Sequence, residues 1–93
     1  MIYAYVALTI TNPDSLAAYR EKAGAALAKY DGTVVSASKE TAVLEGTPTL
    51  PDMAAILSFP DRDSALGWIN DPELADVHAL RRGAGRSDTI LLG

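Results

Sequence analysis

Residues 2–10 alternate between two kinds of side chain. Ile2, Ala4, Val6, Leu8 and Ile10 fall on one face of an extended chain, and Tyr3, Tyr5, Ala7 and Thr9 fall on the other. A period of two over a run rich in β-branched and aromatic residues predicts a strand. The aliphatic face suits packing under helices; the aromatic, partly polar face suits an interface or a cavity. The period then changes. Asn12 is placed to cap a helix, with Pro13 at its first position and Asp14 beside the positive end of the dipole. Leu16, Tyr19, Ala23, Leu27 and Tyr30 recur at steps of three and four, the stripe of an amphipathic helix. Asp31-Gly32 ends it, with Gly32 suited to the left-handed C-terminal position.

Residues 33–38 and 41–46 read as one interrupted strand or two short ones, made edge-like by Ser36, Ser38, Lys39 and Glu40. Gly46, Pro48 and Pro51 mark a turn-rich loop. Met53 to Phe59 is an apolar run suited to a central strand and stopped by Pro60. Asp61 caps a second helix bearing Ala65, Leu66, Trp68 and Ile69. Asn70-Asp71-Pro72-Glu73 breaks this helix and restarts it. The continuation carries Leu74, Val77, His78, Leu80 and Arg81 to a terminator at Gly83 and Gly85, and Thr89 to Leu92 is a last short strand. The order βαββαβ is that of the ferredoxin-like motif, an α+β fold with an antiparallel sheet and its helices on one face. The other face, with Tyr3 and Tyr5 on it, is then expected to be covered by a second copy.

Composition narrows the function classes. Ninety-three residues make one domain, 1–93, and 48% hydrophobic with 22% charged residues is ordinary for a folded chain. The net charge of −4 argues against a nucleic-acid partner. The absence of cysteine removes disulfides, thiolate catalysis and cysteine-based zinc sites. Met1 leads straight into a strand-like segment with no basic leader, and no apolar run nears the ~20 residues of a membrane span. A cytoplasmic, bacterial-type metabolic or accessory protein is the expectation.

The chain resembles the family called domain of unknown function 1330, in the dimeric α/β-barrel superfamily. The resemblance is carried by Ala4-Tyr5-Val6, Tyr19-Arg20, Tyr30-Asp31-Gly32, Val43-Leu44-Glu45-Gly46 and Phe59-Pro60. It continues through Ala65, Trp68, Asn70-Asp71-Pro72-Glu73-Leu74, Leu80-Arg81-Arg82 and a terminal hydrophobic strand. Asp31, Asp61 and Leu74 depart from the family's more usual glycine, serine and aromatic residue. The resemblance implies a homodimer whose two sheets close into a barrel. It implies no activity, because the family is uncharacterised; its wider superfamily includes cofactor-free monooxygenases, lactone isomerases, haem-handling enzymes and regulatory domains.

The residues that carry chemistry are few. His78, the only histidine, is a candidate general base or haem ligand, against the plainer reading of a histidine without catalytic duty. Arg81, Arg82 and Arg86 form a local basic cluster suited to an anionic substrate, or else complement a helix dipole. Tyr3 and Tyr5 suit a dimer seam or a small-ligand pocket, and Trp68 a core position or a pocket wall. Tyr19 and Arg20 divide between the core stripe and the solvated side of their helix. Asp61-Arg62-Asp63 is explained by helix capping rather than metal binding, and Glu45 lacks a partner for acid–base work. The reading is a small homodimer that binds or transforms an aromatic or carboxylated molecule in a pocket between sheet and helices. Its candidate site residues are Tyr5, Trp68, His78 and Arg81, with no metal or cofactor. Whether it is an enzyme stays open. The alternative is a non-catalytic dimerisation or regulatory module, and more remote readings are a cofactor-free monooxygenase or a haem-binding protein.

Overall fold

The computed structural model describes all residues, 1–93. β1 (Ile2–Ile10) leads into α1 (Pro13–Ala28), followed by β2 (Thr33–Ser38) and β3 (Met53–Phe59). Next come α2 (Arg62–Asn70), a 3₁₀ turn (Pro72–Leu74), α3 (Ala75–Gly83) and β4 (Gly85–Leu92). The strands form one antiparallel sheet in the order β2-β3-β1-β4. β1 therefore lies in the middle, and its alternation is borne out. Ala4, Val6 and Leu8 are buried under the helices, while Tyr3 and Thr9 are exposed on the far face.

The sheet does not curl into the barrel that the family resemblance implies. The sheet is open, with β2 and β4 as unpaired edges, and the molecule is a slab of 35 × 31 × 17 Å. The reason is strand number: a closed barrel with a filled interior takes about eight strands, and four cannot curl far enough for their edges to meet. The result is an α+β fold with a four-stranded sheet and its helices on one face.

Local chemistry explains the element ends. The Asn12 side chain accepts the Ser15 N–H at 3.2 Å and Asp61 accepts that of Ser64 at 2.8 Å, so both helices start where a polar side chain satisfies an orphan donor. Asp71 does the same for Glu73 at the 3₁₀ turn. Its other contacts clamp that turn to the end of α1: Lys29 Nζ donates to Asp71 at 2.6 Å and to Glu73 at 2.7 Å, and the Tyr30 hydroxyl donates to Asp71 at 2.8 Å. These three donors, Lys29 first, hold the Asp71 carboxyl down to about 2. Ser15 Oγ donates to the Leu80 carbonyl at 2.7 Å and so ties α1 to the last turn of α3.

Three expectations at the boundaries are revised. Residues 41–46 form no strand; 39–52 is irregular, because Gly46, Pro48 and Pro51 interrupt any ladder. Asp31, not Gly32, takes the left-handed conformation after α1, with φ of 55°. Gly32 is required for room instead: a Cβ there would lie 2.8 Å from the Phe59 ring and 3.1 Å from Leu27. β4 begins at Gly85, four residues before Thr89, since Gly85 alone tolerates φ of 153° and a Cβ there would strike the Thr9 carbonyl oxygen.

The Gly32 contact generates a stability prediction. Gly32→Ala overpacks the site against Phe59, a fully buried ring, and lowers unfolding stability by about 1–3 kcal/mol in denaturant titration. An unchanged midpoint would show that Phe59 yields freely and that the close approach is not a constraint.

Candidate functional site

The site begins with a missing hydrogen-bond donor. In a continuous helix the Trp68 carbonyl would accept the N–H of residue 72, but that residue is proline and has none. α2 stops at Asn70, and the Trp68 carbonyl is satisfied by the ring of His78, whose Nε2 lies 2.8 Å away. The other ring nitrogen, Nδ1, is 2.8 Å from Nη1 of Arg81, one turn further along α3. A guanidinium only donates, so Nδ1 must accept and the ring proton must sit on Nε2, donating to Trp68. The chain of contacts is therefore Arg81 to His78 to Trp68.

This chain is interior. His78 is 1% exposed and Arg81 3%. Burial lowers the His78 pKa, opposed by the Trp68 carbonyl and reinforced by the positive charge of Arg81. The imidazole is accordingly neutral at neutral pH with both nitrogens engaged, an arrangement that orients Arg81. It leaves no lone pair for an iron, so His78 does not fit an axial haem ligand.

Arg81 is the anomaly. It makes no ion pair, and its Nε has no hydrogen-bond partner. Its guanidinium carbon lies 5.3 Å from the centre of the Trp68 ring and 5.7 Å from that of Tyr19. Two such cation–π contacts, each worth about 0.5–2 kcal/mol, offset part of the several kcal/mol that burying an uncompensated charge costs. Trp68 is in turn held by the Phe59 ring at 5.5 Å and meets the His78 ring edge-on at 4.7 Å.

Beside Arg81 opens a cavity of about 360 Å³ between α1 and the sheet. Val6, Leu8 and Leu57 of the sheet and Tyr19, Gly24 and Leu27 of α1 line it on its two sides, and buried Arg81 lines it from α3. Val34 and Ala37 of β2, both exposed, stand at its open end. Its walls draw on both apolar clusters of the interior, one containing Val6, Leu27 and Leu57 and the other Leu8, Tyr19 and Met53. The cavity thus fills the gap where the two clusters fail to merge.

The structure brings together three of the residues singled out from the sequence: Trp68, His78 and Arg81. Tyr5 is not among them. It lies on the opposite sheet face, against a shallow hollow bordered by residues 41–51. The arginine cluster also disperses: Arg82 is exposed at the end of α3, and Arg86 pairs with Asp88 at 3.0 Å on the open face. Sequence reasoning passed over Gly24. It sits mid-helix, where glycine costs about 1 kcal/mol relative to alanine, yet a Cβ there would meet nothing within 4 Å. A glycine without a packing reason inside an alanine-rich helix was the available signal of an opening.

The lowered His78 pKa has a measurable consequence. Between the ordinary value of 6.5 and the lower folded value, the unfolded chain binds the extra proton and the folded chain does not. Stability is therefore fully present above about pH 6.5 and falls as the pH drops below it. Nitrogen-15 spectra at neutral pH should show the Nε2–H tautomer. The fall in melting temperature below pH 6.5 should shrink in His78→Gln; a titration midpoint at or above the free-histidine value would contradict this assignment.

Comparison with known proteins agrees with this architecture. A protein of unknown function from Rhodopseudomonas palustris, RPA0582, superposes with a TM-score of 0.73 at 22% identity, over 98% of this chain and 79% of that one. SnoaB, a cofactor-independent oxygenase from Streptomyces nogalater, gives 0.70 at 15% identity, over 99% and 90% of the two chains. An uncharacterised NIPSNAP domain protein from Burkholderia xenovorans gives 0.62 at 13% identity, over 100% and 93%. These likenesses show the fold alone. No curated protein matches the sequence. The model of the domain of unknown function DUF1330 matches residues 1–93, so the chain belongs to the DUF1330 family.

Proposed function

We propose that this protein binds a small apolar carboxylic acid, aliphatic or aromatic, in the cavity beneath α1, with Arg81 as the anchor for the carboxylate. The observation that supports it is a guanidinium, 3% exposed and without an anionic partner, in the lining of a largely apolar cavity. A ligand carboxylate would supply the counter-charge and an acceptor for the unpartnered Nε. His78, held by the Trp68 carbonyl, keeps the guanidinium in place for it.

The geometry favours binding over chemistry. No aspartate, glutamate or histidine lines the cavity, and His78 has both nitrogens occupied. SnoaB is a cofactor-independent oxygenase, but a reaction that starts with proton removal would find no free carboxylate or imidazole in this cavity.

A second reading concerns self-association. Only 16 of 93 residues are buried in the single chain, which leaves a marginal core. On the open face, Tyr3 lies beside Leu92 and Tyr5 beside Ile90; Tyr3, Ile90 and Leu92 are 42%, 56% and 59% exposed. A second copy laid on this strip would bury it. Light scattering at micromolar concentration should give twice the mass of one chain, and Ile90→Lys should halve it. A wild-type protein of single-chain mass would end this reading and leave the cavity untouched.

For the cavity, calorimetric titration with phenylpropanoate and octanoate should show binding to the wild type. Arg81→Met should weaken it at least about thirtyfold, the scale of losing a buried charge pair. The same variant should melt near or above the wild type, because an apolar residue replaces an unpaired charge. Gly24→Leu should block the cavity without disturbing α1. Binding that survives both substitutions would refute the site.

A further inference from the structure

The cavity is lined by a second cation, and its exposure is the reverse of the first. Arg20 lines the cavity from α1 and is exposed, whereas Arg81 lines it from α3 and is buried. Apart from Tyr19 and Met53 the other side chains lining it are aliphatic, and no acidic residue lines any part of it, in a chain with twelve acidic residues to eight basic ones. Arg20 takes part in no ion pair. Its guanidinium donates at 3.7 Å to the Met53 sulfur, a weak acceptor that a carboxylate would readily displace.

We infer that the ligand is two-headed: a dicarboxylate with an apolar spacer, one head against buried Arg81 and the other against exposed Arg20. This rests on the reading of the cavity as a carboxylate site and adds the second head to it. The two heads contribute differently. The inner carboxylate meets a desolvated, oriented guanidinium and sets whether anything binds. The outer one stays in water, where an exposed ion pair adds a modest, salt-sensitive increment. The spacer must be apolar, because Val6, Leu8 and Leu57 offer it no hydrogen-bond partner. Gly24, exposed on α1, adds no side chain to the lining.

The test uses straight-chain dicarboxylates from butanedioate to decanedioate, each beside its monomethyl ester, titrated while following the fluorescence of Trp68, the only tryptophan. One intermediate length should bind best. At that length the diacid should exceed its ester by about fivefold at low salt, beyond the twofold statistical advantage of two ends. Arg20→Gln should bring the diacid down to about twice the ester's affinity, the statistical factor alone, as should high salt. If the diacid exceeds the ester by no more than about twofold on the wild type, or if Arg20→Gln weakens both alike, the second head is refuted while the carboxylate site stands. If neither binds at any length, the carboxylate reading itself fails and takes this inference with it.

Discussion

The interior of this protein is organised around a proline that cannot donate a hydrogen bond. With residue 72 a proline, the Trp68 carbonyl at the end of α2 needs another partner, and His78 of α3 supplies it. That contact ties α3 to α2 and sets the tautomer of the imidazole and the direction in which its second nitrogen faces. The second nitrogen holds Arg81, so a break between two helices ends by aiming a charged side chain into an apolar cavity. Asp71, one residue before the proline, anchors the same break to α1 through Lys29 and Tyr30.

A buried guanidinium without a counter-ion is an expensive feature in a molecule with so little core. The aromatic faces of Trp68 and Tyr19 reduce its cost without cancelling it. Replacing it by a hydrocarbon would serve folding as well or better, and this is why its presence points to an anion from outside the chain. Gly24 belongs to the same argument. It gives up helix stability, and nothing in the packing requires it. Both residues act against stability at one cavity, the pattern expected where a fold makes room for a ligand.

The elements of the fold were largely legible along the chain, because their signals are local. The alternation of residues 2–10 named the central strand and both its faces. Asn12-Pro13 and Asp61 named helix starts that their side-chain oxygens do form. Legibility failed where the deciding contact is distant in sequence. Gly32 looked like a backbone residue, yet it is required by the ring of Phe59, twenty-seven positions away. Gly85 looked like a helix stop, yet it opens a strand packed against Thr9. The expected barrel failed for another reason: it belonged to a pair of chains, and four strands in one chain form an open sheet.

The candidate site divides along the same line. From the sequence alone came the residue types: a single histidine, a single tryptophan and a knot of arginines near the end of a split helix. Their spacing on one helix also placed His78 and Arg81 a turn apart. Only the tertiary structure decided that Arg81 goes inward while Arg82 and Arg86 go elsewhere. It likewise decided that Tyr5 lies on the wrong side of the sheet to join them, and that exposed Arg20 lines the same cavity as buried Arg81. The physical reason is that helical spacing sets which side chains share a face. Which face is buried, and whether any counter-charge reaches it, depends on what the rest of the chain packs against it.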